Sequence, residues 1–382
     1  MRIALDARTV YRRVRRGTGK NLIDLYSTVA HMRPDWQITA YHREEKIDVG
    51  LLPFGQVQPK QIEMVGDRFD AWEKMRLPAA AWREGADVLH CPANTCPKWM
   101  PINTVVTIHD LIPLDMPHGR PTAAVKRFEQ SIRIASRRAA GIITPSRYTA
   151  DRLINEFDAD PSRITVNAWA ADSAMEKVEW EDAWPTVEQY GVSSPYVLHF
   201  GAIAPRKNTH RMIEAWSRIS ARKRRNWKLL VVGLDDEIKR DLNKRISNLG
   251  LQDTIRLHGF ADEADLPALL SGAEILAYPS LSEGFGLPLL DAWQVETAVL
   301  TSNVTSLPEV AGDAAEIVDP TDSGAIASGL SRLMNDSILR DDLCKAGKQR
   351  LKQYTWAATA ERFIGAMEQA AGGATVPLRR AA

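Results

Sequence analysis

Short runs rich in Val, Ile and Leu recur along this chain without polar alternation, and they decide most of what it can fold into. They lie at residues 2–6, 37–42, 87–91, 104–108 and 141–144, then at 196–200, 228–232, 254–257, 274–278, 298–301 and 315–318. A strand with one wet face alternates apolar with polar residues. One covered on both faces does not, and that is how parallel sheets read. Between the runs sit stretches of helical period such as 123–140 and 211–220. Strand alternating with helix predicts an α/β architecture in which helices cover a parallel sheet. The alternation pauses over residues 170–194 and restarts at Pro195.

The pause is polar and acidic, with Asp172, Glu176, Glu179, Glu181, Asp182 and Pro185. It reads as a linker at 173–194 between two doubly wound domains, 1–172 and 195–355, with a terminal segment at 356–382. A chain of 382 residues suits two domains. Ligands of such sheets bind beyond the carboxyl ends of the strands. Two sheets facing each other would enclose a cleft suited to a small molecule.

The net charge of +1 argues against a dedicated nucleic-acid binder. It conceals an asymmetry, because residues 1–150 carry 23 Lys+Arg and 15 Asp+Glu, a net of +8, and the rest a net of −7. The basic excess includes Arg12, Arg13, Arg15, Arg16 and Lys20 after the first strand. Lys126, Arg127, Arg133, Arg137 and Arg138 add to it on an expected helix. Two readings fit: a surface for a lipid-linked diphosphate or anionic headgroups, or a solvated basic face. The tryptophan-bearing stretch 72–82 fits either that same interface or, better, the core. Three cysteines cannot frame a disulfide scaffold, and no run of 18 apolar residues occurs. The opening residues lack the apolar stretch of a leader. A cytoplasmic protein is expected, peripheral at most on the cytoplasmic face of the inner membrane.

The common nucleotide motifs fail. Gly17-Thr18-Gly19 offers G-x-G without a third glycine and lies too far past its strand for a dinucleotide turn; Lys20-Asn21 lacks the Ser or Thr of a P-loop. Asp158-Ala159-Asp160 reads as a turn before Pro161 rather than a metal site, and no carboxylate or histidine cluster has metal spacing.

Two stretches do carry chemistry. In Tyr278-Pro279-Ser280-Leu281-Ser282-Glu283-Gly284-Phe285-Gly286-Leu287-Pro288 a buried strand ends, a glycine loop follows, and a proline opens a helix. Free N–H groups at such a helix start favour an anion. Glu283 in the loop and Asp291 in the helix could accept hydrogen bonds from sugar hydroxyls. The companion stretch, Gly201 to Asn208, puts Arg206 and Lys207 after the first strand of the second domain, where adjacent cations suit an oxyanion.

With these motifs the chain resembles the GT-B retaining glycosyltransferases of family 4 over nearly its whole length. That family's Glu, seven residues, Glu signature within E-G-F-G-L-P is matched at Glu283-Gly284-Phe285-Gly286-Leu287-Pro288, with Asp291 in the second acidic place. Its G-x-x-x-P-R-K-N motif is matched at 201–208, S-L-P-E-V-A-G-D-A at 306–314, strand-end motifs at 106–113 and 144–146, and a G-x-G segment at Gly17 and Gly19. Tyr354-Thr355-Trp356 is similar to the start of the family's last helix. The resemblance implies two Rossmann-like domains facing across a cleft, the first for acceptor and the second for donor, with the C-terminal helix crossing back to the first.

It further implies that Arg206 and Lys207 hold the diphosphate of a nucleotide-sugar donor and that Glu283 contacts the transferred sugar. The backbone of Gly284, Phe285, Gly286 and Leu287 then positions sugar and phosphate, and Gly201 belongs to the same donor site. His109 sits near the reacting sugar, Gly19 lets its loop approach the phosphates, and Asp291 holds the ribose with altered reach. Glu309 has no assigned role. The anomeric configuration is expected to be retained. No cofactor is expected beyond the donor, and fixed cations in place of a metal make metal independence the expectation. The P-R-K-N form resembles the mannosyltransferase-like branch of surface-polysaccharide and lipopolysaccharide synthesis, so a GDP-sugar donor and a glycan or lipid-linked saccharide acceptor are expected. UDP-sugars come second. A catalytically silent sugar-nucleotide-binding partner subunit is the rival from another class, suggested by Asp291.

Overall fold

The computed structural model describes residues 1–11, 17–43, 47–52, 56–63, 71–117, 119–193, 195–202 and 205–372. Arg12, Arg13, Arg15 and Arg16 of the basic cluster and the tail 373–382 lie outside them. The chain forms two compact units, Met1–Trp169 with Thr355–Ala382, and Ala170–Tyr354.

Unit 1 holds a seven-stranded parallel sheet of β1 (Arg2–Asp6), β2 (Gln37–His42), β3 (Val57–Gln61), β4 (Val88–Cys91), β5 (Asn103–Thr107), β6 (Gly141–Thr144) and β7 (Ile164–Val166), ordered β3-β2-β1-β4-β5-β6-β7. Central strands β4, β5 and β6 are buried at every position, which is why their sequence does not alternate. Ala4, Leu89, Val106, Ile132, Ile142 and Leu153 share one core. The C-terminal helix Trp356–Gly372 completes this unit. Its Phe363 packs edge-on to Tyr26, the Thr359 hydroxyl donates to the Ala168 carbonyl at 2.8 Å, and Glu368 pairs with Arg33.

Unit 2 holds a six-stranded parallel sheet of β8 (Tyr196–Phe200), β9 (Lys228–Val232), β10 (Ile255–Leu257), β11 (Ile275–Tyr278), β12 (Ala298–Ser302) and β13 (Glu316–Val318), ordered β10-β9-β8-β11-β12-β13. Winding runs outward from β8 in one direction and then outward from β11 in the other. The switch point therefore falls between β8 and β11, where an open α/β sheet leaves a crevice for ligand. Val197, Trp216, Leu229, Ile275, Leu300 and Leu330 anchor the core, each such side chain contributing about 1.5–3 kcal/mol by burial.

Three readings need correction. β3 and β7 were not expected. β3 carries Pro59 and buries only Val57, and β7 has three half-buried residues; edge strands tolerate proline and need no apolar run. Residues 173–194 are not a bare linker, since helix Trp180–Gln189 buries Ala183 and Val187 within unit 2. Pro185 reads as a breaker, yet Glu181 and Asp182 in the first turn favour the helix. Gly17 and Gly19 do not lie in a loop; they form the first turn of helix Gly17–Met32, with Gly19 buried. The stretch 72–82 divides, with Trp72 buried beneath the Arg8 guanidinium and Trp82 55% exposed. Asp158 and Asp160 serve turns, Asp158 in the left-handed region after helix Arg147–Phe157 and Asp160 accepting from the Ser162 N–H. Among the described residues no helix is long and apolar enough to cross a membrane.

Candidate active site

In unit 2 the loops leaving β8 and β11, on either side of the switch point, are tied into one rigid body. The Leu281 N–H donates to the Arg206 carbonyl at 2.8 Å, and the Asn208 amide donates to the Pro279 and Pro320 carbonyls at 3.0 and 2.7 Å. Asn208 sits at φ +63°, the left-handed region its short polar side chain tolerates. Gly201 has no room for a side chain: a Cβ would meet Leu234 at 2.7 Å. Gly286 has φ +129° and caps helix Leu287–Gln294, whose first N–H groups face outward for want of a preceding turn. Ser306 donates to the Glu283 and Phe285 carbonyls at 2.9 and 2.8 Å, while Thr305 accepts from the Glu283 N–H at 3.2 Å. The Phe285 ring packs edge-on against Tyr354, so only its backbone is left for a ligand.

These constraints bring four functional groups together. Oε1 of Glu283 accepts from Arg206 Nη1 at 2.5 Å, Lys207 Nζ at 2.8 Å and the Tyr278 hydroxyl at 2.8 Å. The Lys207 ammonium also lies 4.2 Å over the Tyr278 ring and donates to its hydroxyl. Burial lowers the Lys207 pKa to about 8, with Arg206 adding to the drop and Glu283 opposing it. Burial pushes the Glu283 carboxyl up, but Lys207 and Arg206 outweigh it and hold the group ionised, below the usual carboxylate range. The cluster is thus two cations about one carboxylate, a net positive charge in a largely dry setting, where it acts far more strongly than in water. Asp291 lies in the same helix as Leu287, and its Oδ1 accepts from the Asp172 N–H at 3.1 Å.

In unit 1, His109 follows β5 and is held on three sides. Its N–H donates to Asn94 Oδ1 at 2.5 Å, its ring stacks on Trp169 with centroids 5.8 Å apart, and Nε2 lies 2.6 Å from the Pro92 carbonyl. A carbonyl only accepts, so Nε2 carries the proton and Nδ1 keeps its lone pair. Burial lowers the His109 pKa, with the Pro92 hydrogen bond and Asp110 opposing, and the ring stays neutral. Gly17 and Gly19 open their helix elsewhere in this unit.

Arg206, Lys207 and Glu283 therefore meet directly, with Gly284, Gly286 and Leu287 on the adjoining loop and helix start. Sequence reasoning passed over Tyr278, Asn208, Thr305 and Ser306. Asn208 and Ser306 stood within matched motifs, and Tyr278 is the last residue of a strand entering the glycine loop; only packing reveals that Tyr278, Thr305 and Ser306 hold Glu283 and that Asn208 ties the loops together.

Comparison with known proteins bears on the family and the fold. Residues 182–350 match the family described as Glycosyl transferases group 1, and residues 20–168 match Glycosyltransferase Family 4. The chain is 30% identical to O-antigen chain mannosyltransferase B of Escherichia coli over 83% of its own length and 82% of the relative's. Among solved structures it superimposes on sucrose-phosphate synthase from Thermosynechococcus elongatus with a TM-score of 0.75 at 18% identity, covering 96% of this chain and 98% of that one. It superimposes equally on Anabaena HepE in complex with UDP-glucose, at 0.75 and 16% identity, covering 96% and 99%. These likenesses establish the GT-B fold.

Proposed function

The chain belongs to the group 1 glycosyl transferases, and on that premise we propose that it moves mannose or a related sugar from a GDP-sugar to a glycan or lipid-linked saccharide during surface-polysaccharide synthesis. The observation that carries this reading is the Arg206–Lys207–Glu283–Tyr278 cluster at the switch point of unit 2. When a nucleoside diphosphate leaves the anomeric carbon, negative charge gathers on phosphate oxygens and positive charge on the sugar. Arg206, Lys207 and the N–H groups of helix Leu287–Gln294 answer the first with charge placed beforehand. Phosphate oxygens shared between the two cations leave Glu283 to meet hydroxyls of the transferred sugar. This fixed charge stands where a metal would otherwise serve, so transfer proceeds without a divalent ion. Asp291 takes the ribose hydroxyls, and neutral His109 offers Nδ1 as an acceptor toward the sugar. Configuration is retained, by resemblance to the family.

The mannose choice is supported by the E. coli mannosyltransferase relative, and GDP as its carrier rests on the resemblance of the P-R-K-N stretch. A UDP-sugar donor is the second reading, supported by the fold shared with a protein solved with UDP-glucose. The exposed Trp82 and Trp99, in T-shaped contact with centroids 6.4 Å apart beside Lys98, support docking of unit 1 on an anionic membrane. Purified protein is to be incubated with GDP-mannose or UDP-glucose, with EDTA present, and a saccharide acceptor. Release of GDP with an α-linked product by proton NMR is expected. Release of UDP alone would move the donor to the second reading, and nucleotide binding without product would identify a silent sensor.

A further inference from the structure

The carboxyl ends of β8 and β11 carry the transfer cluster; the amino ends of β11 and β12 border a second concavity that the transfer chemistry leaves unused. It encloses about 620 Å3 and is lined wholly by unit 2, within the range of small-molecule sites at about 300–1,000 Å3. Lys177 and Trp180 line one side, Glu274 and Glu296 come from the approaches to β11 and β12, and Arg340 and Lys348 come from helix Ser337–Leu351.

Glu296 is the residue that most needs explaining. It stands just past helix Leu287–Gln294 at φ +63°, where glycine is the usual occupant because a Cβ is strained. Backbone preference opposes a glutamate there, so the side chain accounts for it. Its Oε2 pairs with Lys177 at 2.5 Å and its Oε1 with Lys348, and those hydrogen bonds bring its pKa to about 2. Across the cavity Arg340 pairs with Glu274 at 2.9 Å. The Trp180 ring remains 36% exposed at the same cavity.

Each of these cations is already engaged, Lys177 and Lys348 by the one Glu296 carboxylate and Arg340 by Glu274. An anionic ligand would have to break those pairs, and an apolar one would strip them of water without replacing it. A neutral polyhydroxyl compound does neither, since its hydroxyls donate to carboxylates, accept from ammonium and guanidinium groups, and leave a C–H face for the indole. We propose that this cavity is a second carbohydrate site, holding a neutral sugar unit of a glycan at the end of the unit 2 sheet opposite the transfer cluster. The proposal rests on the reading above that the substrates are glycans. It gives the enzyme a hold on a growing chain away from the reacting end.

The test titrates the full chain with mannotetraose, maltotetraose and galactotetraose, read by tryptophan fluorescence and calorimetry. At least one is expected to bind with a Kd on the order of 1 mM, and Trp180→Ala to weaken it about tenfold. Glu296→Gly, which relaxes the backbone and so folds, is expected to weaken it as well. Both variants are expected to keep wild-type turnover with a disaccharide acceptor. No saturable signal from any tetrasaccharide, or titrations of both variants that overlay the wild type, would overturn the proposal. Failure of the functional reading looks different: no transfer from any nucleotide sugar, whatever the tetrasaccharides do.

Discussion

The two sheets are wound alike, with the switch point at β1 beside β4 in unit 1 and at β8 beside β11 in unit 2, and past the first strand of each a cation meets a carboxylate, in opposite proportion. In unit 2 the end is ionic and closed, with two cations converging on Glu283 before any ligand arrives. In unit 1 the buried Arg8, just past β1, pairs with Asp6 at 2.5 Å and faces Glu73 at 3.6 Å, one cation between two carboxylates, and polar atoms beside it are still open to hydrogen bonding. Thr9 Oγ1, Tyr11 OH and Glu73 Oε1 are buried and find no hydrogen-bond partner among the described residues. Buried polar atoms are nearly always satisfied, so such a group marks a place that water or ligand completes. One winding scheme thus yields two cations about one carboxylate on one sheet, and one cation between two carboxylates, edged by open polar atoms, on the other.

The sharpest way to break that comparison is to remove the charge. Lys207→Ala is expected to lower kcat by about 10²–10³, the cost of losing one preset electrostatic donor, with kcat/KM falling in step. Wild-type turnover would take the ionic role away from unit 2. Glu283→Gln is the better probe of the carboxylate than Glu283→Ala. Deleting the side chain leaves Lys207 and the part-exposed Arg206 without their shared partner, a stability cost that would mask the catalytic effect.

Acidity separates the two ends next. Lys207 sits at about 8, lowered chiefly by burial, so kcat/KM, which reports the free enzyme, is expected to fall as pH rises through 8 and the ammonium is lost. Stability of the unliganded chain moves the other way. Between about 8 and the ordinary lysine value of 10.5 the unfolded chain binds the extra proton, so the Lys207 contribution to folding stability rises with pH. Burial holds the His109 pKa below its ordinary value, so any inflection it gives in kcat/KM is expected on the acid side of that value. A pH–rate profile beside a pH series of thermal melts checks all three; an alkaline limb that survives in Lys207→Arg unchanged would assign it elsewhere.

Most of the fold could be read from residue pattern because buried parallel strands impose unbroken apolar runs, as at Val105-Val106 and Leu229-Leu230-Val231-Val232. Edges escaped for the same reason, since Val57-Gln58-Pro59-Lys60-Gln61 answers to one buried face at most. In the site, charged residues beside glycines exposed Arg206, Lys207 and Glu283. Their supports did not stand out, because a tyrosine, an asparagine and two hydroxyls have no periodicity; Asn208 joins loops that are 71 residues apart in sequence. The basic cluster Arg222–Arg225 shows the limit from the other side. Four charged residues in a row have the pattern of a solvated turn, yet the Arg224 guanidinium donates to the Ser217 carbonyl at 2.7 Å and so serves the end of helix Thr209–Arg218.

The smallest expected effect concerns surface rather than chemistry. Unit 1 exposes Trp82 and Trp99 as a pair, and the Arg138 guanidinium donates to the Lys98 carbonyl at 2.7 Å, joining the end of the basic helix Thr122–Arg138 to the loop that carries Trp99. Indole rings and cations arranged together suit the headgroup region of an anionic bilayer, each cation contributing about 1 kcal/mol. Trp82→Ala with Trp99→Ala is expected to reduce flotation with phosphatidylglycerol vesicles several-fold at low salt, while turnover on a soluble acceptor stays at the wild-type value. Flotation equal to wild type would remove the docking role and reduce the contrast between the units to the chemistry at their sheet ends. Loss of soluble turnover in the same variant would instead tie the pair to the folding of unit 1, since Trp82 lies on helix Leu77–Arg83, whose other face is core.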